Sequence, residues 1–381
     1  MDQDKKTIRV FGWAAFLNDF GAEMIYPLWP FFVTTFLGAN MAVLGFIDGL
    51  GEALVSISQA VSGHLADKWQ KKKVFIWLGY VCGGLSRLGY ALSTVWPQLI
   101  PFKILDRVGK IRGAPRDAML ADMSVHENRG RHFGFLRTMD NFGAVCGILF
   151  SILLFKWLGY KMLFLIAAIP SFIAALLVFN FLKEKKSDVK IYKGLRLKDL
   201  DRNFKRFLFL SALFALGSFS YSFLLIYAKG FGIPLTLIPL LYLLFNVMAS
   251  LSAMPFGRFA DAVGRKPALM SSLFLWILVC FAFIAWHNML GMIIAFVLYG
   301  LHKGGLDTLQ KVMVAELAPA EYRASALGGF QMVIGLAALP ASLLAGVLWD
   351  TINPLLPLYI SMGLTTVAVL LLCTVKENTT N

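Results

Sequence analysis

The chain has 381 residues, of which 58% are hydrophobic and 15% are charged, and its mean hydropathy is +0.69. Because a soluble domain carries roughly 25% charged residues, this composition excludes an ordinary water-soluble protein. The formal net charge of +14 would suit a nucleic-acid partner, but only if the basic residues formed a patch on a soluble surface.

Apolar runs of about 20 residues, the length that a spanning helix needs, follow one another along the chain. They predict twelve transmembrane helices, at 10–36, 41–62, 74–95, 97–121, 132–155, 161–182, 207–229, 235–256, 268–287, 289–314, 324–349 and 354–375. The first run is too long for the apolar core of a signal peptide. One long polar stretch, 183–206, divides the series after the sixth helix. The sequence therefore predicts an all-α integral membrane protein of two six-helix bundles, 1–182 and 207–381, joined by the linker 183–206.

The basic residues are distributed unequally between the two sides of this predicted topology. Of the 36 Lys and Arg residues, 24 lie in the termini, the linker and the loops on one side, 3 lie in the opposite loops, and nine lie within spans. Positive residues are retained on the cytoplasmic side during insertion. The bias predicts that both termini and the linker are cytoplasmic, and it indicates attraction to lipid headgroups instead of nucleic-acid binding.

The two halves repeat at a constant offset of 194 residues. The matched pairs are Gly38 and Gly232, Gly63 and Gly257, Asp67 and Asp261, Lys72 and Lys266, Arg129 and Arg323, and Gly134 and Gly328. A register held over about four helices indicates parallel structural repeats, which are related by an axis along the membrane normal. The two predicted bundles are therefore pseudo-symmetric.

A loop motif occurs once in each half. The residues from Gly63 through Asp67 to Lys73 and those from Gly257 through Asp261 to Lys266 are similar to the G-x-L-a-D-r-x-G-r-k signature of the major facilitator superfamily (MFS). The first copy has Gln70 in place of the second glycine. The resemblance covers the whole chain, and it implies the MFS fold and secondary transport by alternating access.

The same resemblance implies a conformational latch at the cytoplasmic ends of the helices. Its residues would be Gly63, Asp67, Lys71 and Asp122 in the first half, and Gly257, Asp261, Arg265 and Glu316 in the second. The alternative is an ordinary solvated loop. Favouring the latch, a carboxylate such as Asp67 can face a positive helix N-terminus, and the whole arrangement is repeated at the 194-residue offset.

Seventeen charged residues lie within the predicted spans. The cations are Arg87, Lys103, Arg107, Lys110, Arg112, Arg116, Arg137, Lys303 and Lys311, and the anions are Asp19, Glu23, Asp48, Glu52, Asp106, Asp117, Asp140 and Asp307. Each unpaired charge at mid-membrane costs about 2.5–3.5 kcal/mol on insertion scales. These side chains must therefore face a watery cavity, one another or a substrate.

Helical spacing places Asp19, Glu23 and Tyr26 on one face of the first span, and Asp48 and Glu52 on one face of the second. A desolvated carboxylate can take up and release a proton near the working pH, so Asp19 and Glu23 are the candidate proton-coupling acids. The remaining candidates line a substrate cavity: Tyr26, Asp48, Glu52, Arg87, Lys103, Lys110, Arg137, His302, Lys303 and Asp307. Internal ion pairing is the open alternative, for Asp106 with Lys110 and for Arg112 and Arg116 with Asp117 or Asp140.

The fourth span, around Arg107, is similar to the Arg-bearing motif of proton-coupled facilitators, which implies that Arg107 lies beside the proton site. Together with the first span, it resembles bacterial drug- or metabolite-exporter-like members. Gly143 and Gly147 match the helix-5 motif of proton antiporters, but Ile148 replaces its proline. The glycine pair also suits simple close helix packing.

Three functions therefore remain open. The first is proton-coupled efflux of a small organic solute across a bacterial inner membrane. The second is proton-coupled uptake of an anionic metabolite or metal chelate, favoured by nine intramembrane cations against eight anions. The third is a non-transporting sensor or lipid-handling relative.

Enzymatic activity and cofactor binding find no support in the sequence. It has no G-x-x-x-x-G-K-[ST] loop, its five histidines are scattered, and its four cysteines fall inside apolar runs without metal-ligand spacing. We expect no cofactor, no metal and no nucleic-acid partner. The expected partners are a small-molecule substrate, protons and membrane lipid, and the expected state is a monomer.

Overall fold

The computed structural model describes residues 2–69, 71–124, 128–182, 200–318 and 323–376. Every regular element in these ranges is helical. The α-helices are α1 Asp2–Glu23, α2 Trp29–Phe31, α3 Met41–Trp69, α4 Lys72–Leu92, α5 Leu99–Val108, α6 Gly113–Asp122, α7 Arg129–Phe181, α8 Arg202–Gly217, α9 Tyr221–Gly230, α10 Ile238–Val263, α11 Arg265–Ala285, α12 Met289–Leu317, α13 Arg323–Thr351 and α14 Leu356–Leu372. Together they account for the twelve predicted spans.

Three spans are interrupted. The first is built from α1, α2 and the π-helical segment Phe32–Phe36. The fourth is built from α5, the 3-10 segment Gly109–Arg112 and α6. The seventh is divided into α8 and α9 by three non-helical residues, 218–220. Interrupted spans expose backbone groups inside the membrane, which is tolerated where protein or a water-filled cavity surrounds them.

The fifth and sixth spans lie within α7 as two helices that meet at a kink, as the sequence predicted. The continuity of α7 is broken only at Gly159, whose φ of 62° lies in the left-handed region that favours glycine. The sequence pattern had placed a loop at 156–160, and the structure makes the turn with essentially one residue.

Seven of the described helical stretches are long and apolar enough to cross a membrane by length and composition alone. One of them, Arg131–Phe181, has 51 residues, enough for two spans. The α1 and α4 helices are not among these seven. The two short helices of the fourth span have 10 residues each and α14 has 17.

The chain packs as two compact units. Unit 1 contains residues 1–39 and 54–192, and unit 2 contains residues 40–53 and 193–381. The first part of α3 therefore packs with unit 2, and the rest of that helix packs with unit 1. The predicted domain boundaries at 182 and 207 stay a prediction, and residues 183–199 of the linker lie outside the described ranges.

Two glycines that are related by the 194-residue offset share an unusual backbone conformation. Gly38 has a φ of 71° and its partner Gly232 has a φ of 85°. Both glycines lie in the loop before the second helix of their half, and only glycine adopts these angles without strain.

Candidate functional site

The polar face of α1 ends where the first helix is interrupted. Asp19, Glu23 and Tyr26 are half-buried, as predicted for one face, and α1 ends at Glu23. Five turn residues follow before the chain becomes helical again at Trp29. Pro27 and Pro30 lack the N–H groups that a continuous helix would use, so the sequence itself accounts for this break.

Two cations of α5 lie against aromatic rings of the interrupted helix. The Lys103 side chain is 2% exposed, and its Nζ lies 4.0 Å from the centre of the Trp29 ring. The Arg107 guanidinium carbon lies 5.4 Å from the centre of the Tyr26 ring, and its Nε lies 3.5 Å from Asp106 Oδ2. Cation–π contact and ion pairing thus stabilise buried charge here, and Arg107 forms an ion pair with Asp106.

A small cavity lies between the interrupted helix, α4 and α5. Its lining residues are Ala22, Ile25, Tyr26, Trp29, Arg87, Tyr90, Lys103 and Asp106, and it has room for about one water molecule. The Tyr90 hydroxyl is buried there and has no hydrogen-bond partner within the described part of the chain. A phenol usually finds a partner when buried, so the cavity is suited to a water molecule or to a polar atom of a ligand.

The buried guanidinium of Arg87 donates several hydrogen bonds within unit 1. It is 3% exposed and donates to the backbone carbonyls of Asn18 and Ala167, each at 3.1 Å, and to Asn18 Oδ1 at 3.3 Å. It also donates to the Ser171 hydroxyl, which in turn donates to Asn18 Oδ1 at 3.2 Å. This residue, predicted to line the substrate cavity, thus joins α1, α4 and the second half of α7 through neutral acceptors.

The 3-10 segment of the fourth span packs closely against α4. A Cβ added at Gly79 would lie 2.5 Å from Gly109 O and 2.7 Å from Arg112 Cβ. Arg112 is buried, donates to Gly109 O at 2.9 Å, and lies 5.0 Å from the Tyr80 ring centre. Lys110 is half-buried in the same segment. Pro115 stands in the first turn of α6, where a missing N–H group is tolerated.

Two further charged groups of unit 1 had been left as possible internal ion pairs. Arg116 Nε lies 3.1 Å from Asp117 Oδ1, and its Nη1 lies 3.6 Å from Asp140 Oδ1. Asp140 is buried on α7, whereas the predicted cavity residue Arg137 is exposed one turn earlier. The distance between Arg116 and Asp140 agrees with the ion pair that the sequence left open for them.

In unit 2, the carboxylate of Asp48 lies at the start of α9. It is 6% exposed and accepts hydrogen bonds from the hydroxyls of Ser220 at 2.7 Å and Ser222 at 2.5 Å. Ser220 is also the N-cap of α9 and accepts from the backbone N–H of Ser222. The positive end of this helix favours a carboxylate, so Asp48 stabilises the break in the seventh span.

A second charged group in unit 2 contains three of the predicted cavity residues. Lys303 and Asp307 form an ion pair of 3.0 Å with about half of each side chain exposed, and Glu52 and Tyr299 are their electrostatic neighbours. His302 points elsewhere. It is buried, its Nδ1 lies 2.7 Å from Ser272 O, and its ring lies 5.2 Å from that of Trp276.

A row of aromatic rings crosses unit 2 from α9 to α11. The successive ring-centre distances are 5.1 Å for Tyr221 and Tyr242, 5.9 Å for Tyr242 and Phe245, 4.4 Å for Phe245 and Tyr299, and 5.6 Å for Tyr299 and Trp276. The Trp276 indole donates to Ser361 Oγ at 2.7 Å. Phe245, Trp276 and Tyr299 were not among the residues predicted to line the substrate cavity.

In the second copy of the loop motif, two of the predicted latch residues form an ion pair, and a glycine makes the turn between two helices. Arg265 Nε lies 3.1 Å from Glu316 Oε2, while Asp261 is exposed and Gly257 has open space around it. Gly264, between α10 and α11, has a φ of 100°, which explains the second glycine of the motif. In the first copy, Lys71 is exposed. The surroundings of the predicted latch residues Gly63, Asp67 and Asp122 lie outside what the structure describes.

These features define a class of protein. Apolar spans that carry buried charges, helices interrupted beside those charges, and a loop motif in each half are typical of polytopic membrane proteins that carry solutes. The family model of the Major Facilitator Superfamily matches residues 11–206 and 207–381. The chain belongs to the Major Facilitator Superfamily, a family of membrane-spanning transporters.

Relatives and solved structures agree with this assignment. An uncharacterized MFS-type transporter of Methanocaldococcus jannaschii is 36% identical over 355 residues, covering 90% of this chain and 88% of that protein. A multi-drug resistance efflux pump of Streptococcus pneumoniae is 26% identical over 336 residues, covering 83% and 82%. The crystal structure of the nucleoside transporter NupG superposes with a TM-score of 0.79 at 16% identity, covering 98% of both chains. That last likeness shows the shared fold alone.

Proposed function

We propose that this chain is a secondary active transporter, and not an enzyme, that exports a small organic solute in exchange for protons. The observation that carries the proposal is the half-buried pair Asp19 and Glu23 on one face of α1, at the point where that helix is interrupted. Acidic side chains inside membrane spans are the groups that form proton relays in pumps and transporters. Arg107, close to the Tyr26 ring, supplies a cation for which an ionised carboxylate and a substrate can compete, and a proton that binds the carboxylate leaves the cation to the substrate.

Export is the direction that the similar proteins favour. The relative from Streptococcus pneumoniae is described as a multi-drug resistance efflux pump, and a tetracycline resistance protein of Pasteurella multocida is 26% identical over 170 residues. Sites for small organic solutes are lined mainly by apolar and aromatic side chains, and the largely buried aromatic row of unit 2 is of this kind.

Uptake of an anionic metabolite or metal chelate is the second candidate. Within the described side chains around the α1 and α5 cluster, five cations (Arg87, Lys103, Arg107, Lys110 and Arg112) accompany three anions (Asp19, Glu23 and Asp106). Such an excess attracts an anionic solute. The charge of the transported solute decides between the two candidates.

The proposed cycle uses both copies of the loop motif as a conformational latch. The ion pair between Arg265 and Glu316, together with Asp261, would hold the cytoplasmic ends of α10, α11 and α12. The equivalent residues Gly63, Asp67, Lys71 and Asp122 would do the same in the first half. We place the chain in a bacterial inner membrane as a monomer in contact with lipid, with both termini cytoplasmic, because 24 of its Lys and Arg residues lie on that side.

The proposal is tested with the full chain in liposomes that contain a pH-sensitive dye. A panel of cationic, anionic and neutral solutes is added in turn, and proton flux is measured in each direction. We expect Asp19→Asn and Glu23→Gln to abolish accumulation against a gradient while downhill exchange or binding is partly retained. Asp117→Asn, which changes a half-exposed acid outside the cluster, should behave like the wild type.

Two results would refute this function. If every solute in the panel moves without a proton flux, the chain is not proton-coupled. If Asp19→Asn and Glu23→Gln together still drive uphill transport with normal pH dependence, the coupling acids are elsewhere.

A further inference from the structure

The small cavity between the interrupted first helix, α4 and α5 has a buried hydroxyl in its wall that lacks a hydrogen-bond partner. Tyr90 lines this cavity and is 4% exposed, and its hydroxyl has no partner within the described part of the chain. Its ring packs on Trp29, with 4.9 Å between the ring centres. Buried polar groups are nearly always hydrogen-bonded, so a molecule in the cavity can supply the partner that the protein does not.

The wall of the cavity is positively charged. Arg87 and Lys103 are among its lining residues, and both are almost fully buried. Asp106, the acid among the lining residues, is ion-paired with Arg107 at 3.5 Å, which offsets its repulsion of an incoming anion. These four side chains carry three positive charges and one negative charge, so the cavity favours an anionic occupant.

The two lysine and arginine side chains of the wall have different partners. The terminal nitrogens of Arg87 donate to four neutral acceptors, two on Asn18, one on Ala167 and one on Ser171. These hydrogen bonds hold the guanidinium in place, so Arg87 contributes charge to the cavity. Lys103 Nζ lies 4.0 Å from the centre of the Trp29 ring, the same ring on which Tyr90 packs. The ammonium and the phenol therefore contact one indole at the edge of the cavity.

We propose that this cavity binds a single negatively charged atom, either one oxygen of a carboxylate on the solute or a free halide ion. Tyr90 is the hydrogen-bond donor and Lys103 the counter-charge. The cavity has room for about one water molecule, so one oxygen fits and a whole phosphate or sulfate does not. A neutral molecule would satisfy Tyr90 but would not compensate the buried charge of Arg87.

The role of this site in transport rests on the proposed function. The inference deepens that function because it assigns a negative charge to the solute, which the two candidate functions leave open. Binding of the anion itself needs neither a gradient nor a known solute, so it can be measured separately from transport.

The test compares formate with formamide, which are close in size and differ in charge. Each carries a formyl proton, so saturation-transfer NMR on the purified full chain in detergent detects both ligands through the same group. We expect formate to bind and formamide not to bind. Tyr90→Phe removes only a hydroxyl and Lys103→Met only a charged end, and each should weaken formate binding by about tenfold or more. Tyr359→Phe and Lys156→Met change exposed residues and should bind formate like the wild type.

A chloride NMR measurement distinguishes the two sources of the anion. Broadening of the chloride resonance by the wild type, lost in Tyr90→Phe and Lys103→Met, would identify a free halide as an occupant. Formate binding without that broadening would identify a carboxylate of the solute.

Three results would overturn the site: no signal from formate or chloride, equal signals from formate and formamide, or full formate binding by both Tyr90→Phe and Lys103→Met. If Lys103→Met does not fold, Tyr90→Phe decides, since unchanged formate binding in that variant also overturns the site. Formate binding by a chain that shows no proton-coupled flux would instead refute the proposed function and leave the anion site standing.

Discussion

Substitution of Arg87 separates a structural role from a substrate-binding role at the centre of unit 1. Its guanidinium donates to two backbone carbonyls at 3.1 Å and to the Asn18 and Ser171 side chains. In Arg87→Ala, the two carbonyls lose charge-assisted hydrogen bonds worth about 1.5–3 kcal/mol each. Asn18 Oδ1 keeps the hydrogen bond from Ser171. Removing a buried charge also removes its desolvation cost of several kcal/mol. We therefore expect the free energy of unfolding to fall by about 2–4 kcal/mol in total.

The measurement is thermal unfolding of the purified chain in detergent, combined with binding of any solute identified in liposomes. Arg87→Ala should melt well below the wild type, and Arg87→Lys should recover only part of the loss because an ammonium lacks the planar set of donors. Arg137→Ala is the matched control, since Arg137 is exposed, and it should melt like the wild type. A normal melting temperature for Arg87→Ala with binding abolished would contradict the structural role and return Arg87 to the substrate site.

Two further predictions concern helix contacts. Gly143→Leu should prevent α1 and α7 from packing, because the new side chain would collide with Phe16 O; the folded yield should fall sharply, whereas Gly134→Ala, with open space around it, should express normally. Asp350→Ala removes a carboxylate that accepts the N–H groups of Met41 at 3.2 Å and Ala42 at 2.8 Å in the first turn of α3. Loss of such a cap costs about 0.5–2 kcal/mol, so the melting temperature should fall modestly; an unchanged value would show that water replaces the carboxylate.

The spans, the repeat and the family could be predicted from the sequence because each depends on local pattern. Twenty apolar residues form a spanning helix whatever lies beside them, and a loop motif repeated at a fixed offset needs no tertiary information. The similar φ angles of Gly38 and Gly232 show that the repeat in the sequence also holds for the backbone. The break after α1 was not predicted, since one continuous span was expected at 10–36, although two prolines there give the signal.

The break in the seventh span could not be predicted in the same way. Residues 218–220 contain no proline, and the local sequence Ser-Phe-Ser is compatible with a helix. The carboxylate that accepts from Ser220 and Ser222 belongs to Asp48, which is 172 residues away from Ser220 in the chain. A similar limit applies to His302 and Lys303. They are adjacent in sequence, but consecutive residues of a helix point about 100° apart, and only one of them is buried.

The two sequence halves do not coincide with the two packing units, so the charged residues are best grouped by the unit in which they pack. By sequence, Asp48 and Glu52 belong to the first half, beside the other candidate acids. By packing, residues 40–53 belong to unit 2, where Asp48 binds the start of α9 and Glu52 neighbours Lys303 and Asp307. The contacts of these two acids therefore follow the packing units and not the sequence halves. Grouped by contact, Asp19 and Glu23 stay the candidate proton acids of unit 1, and Asp48 stabilises an interrupted helix.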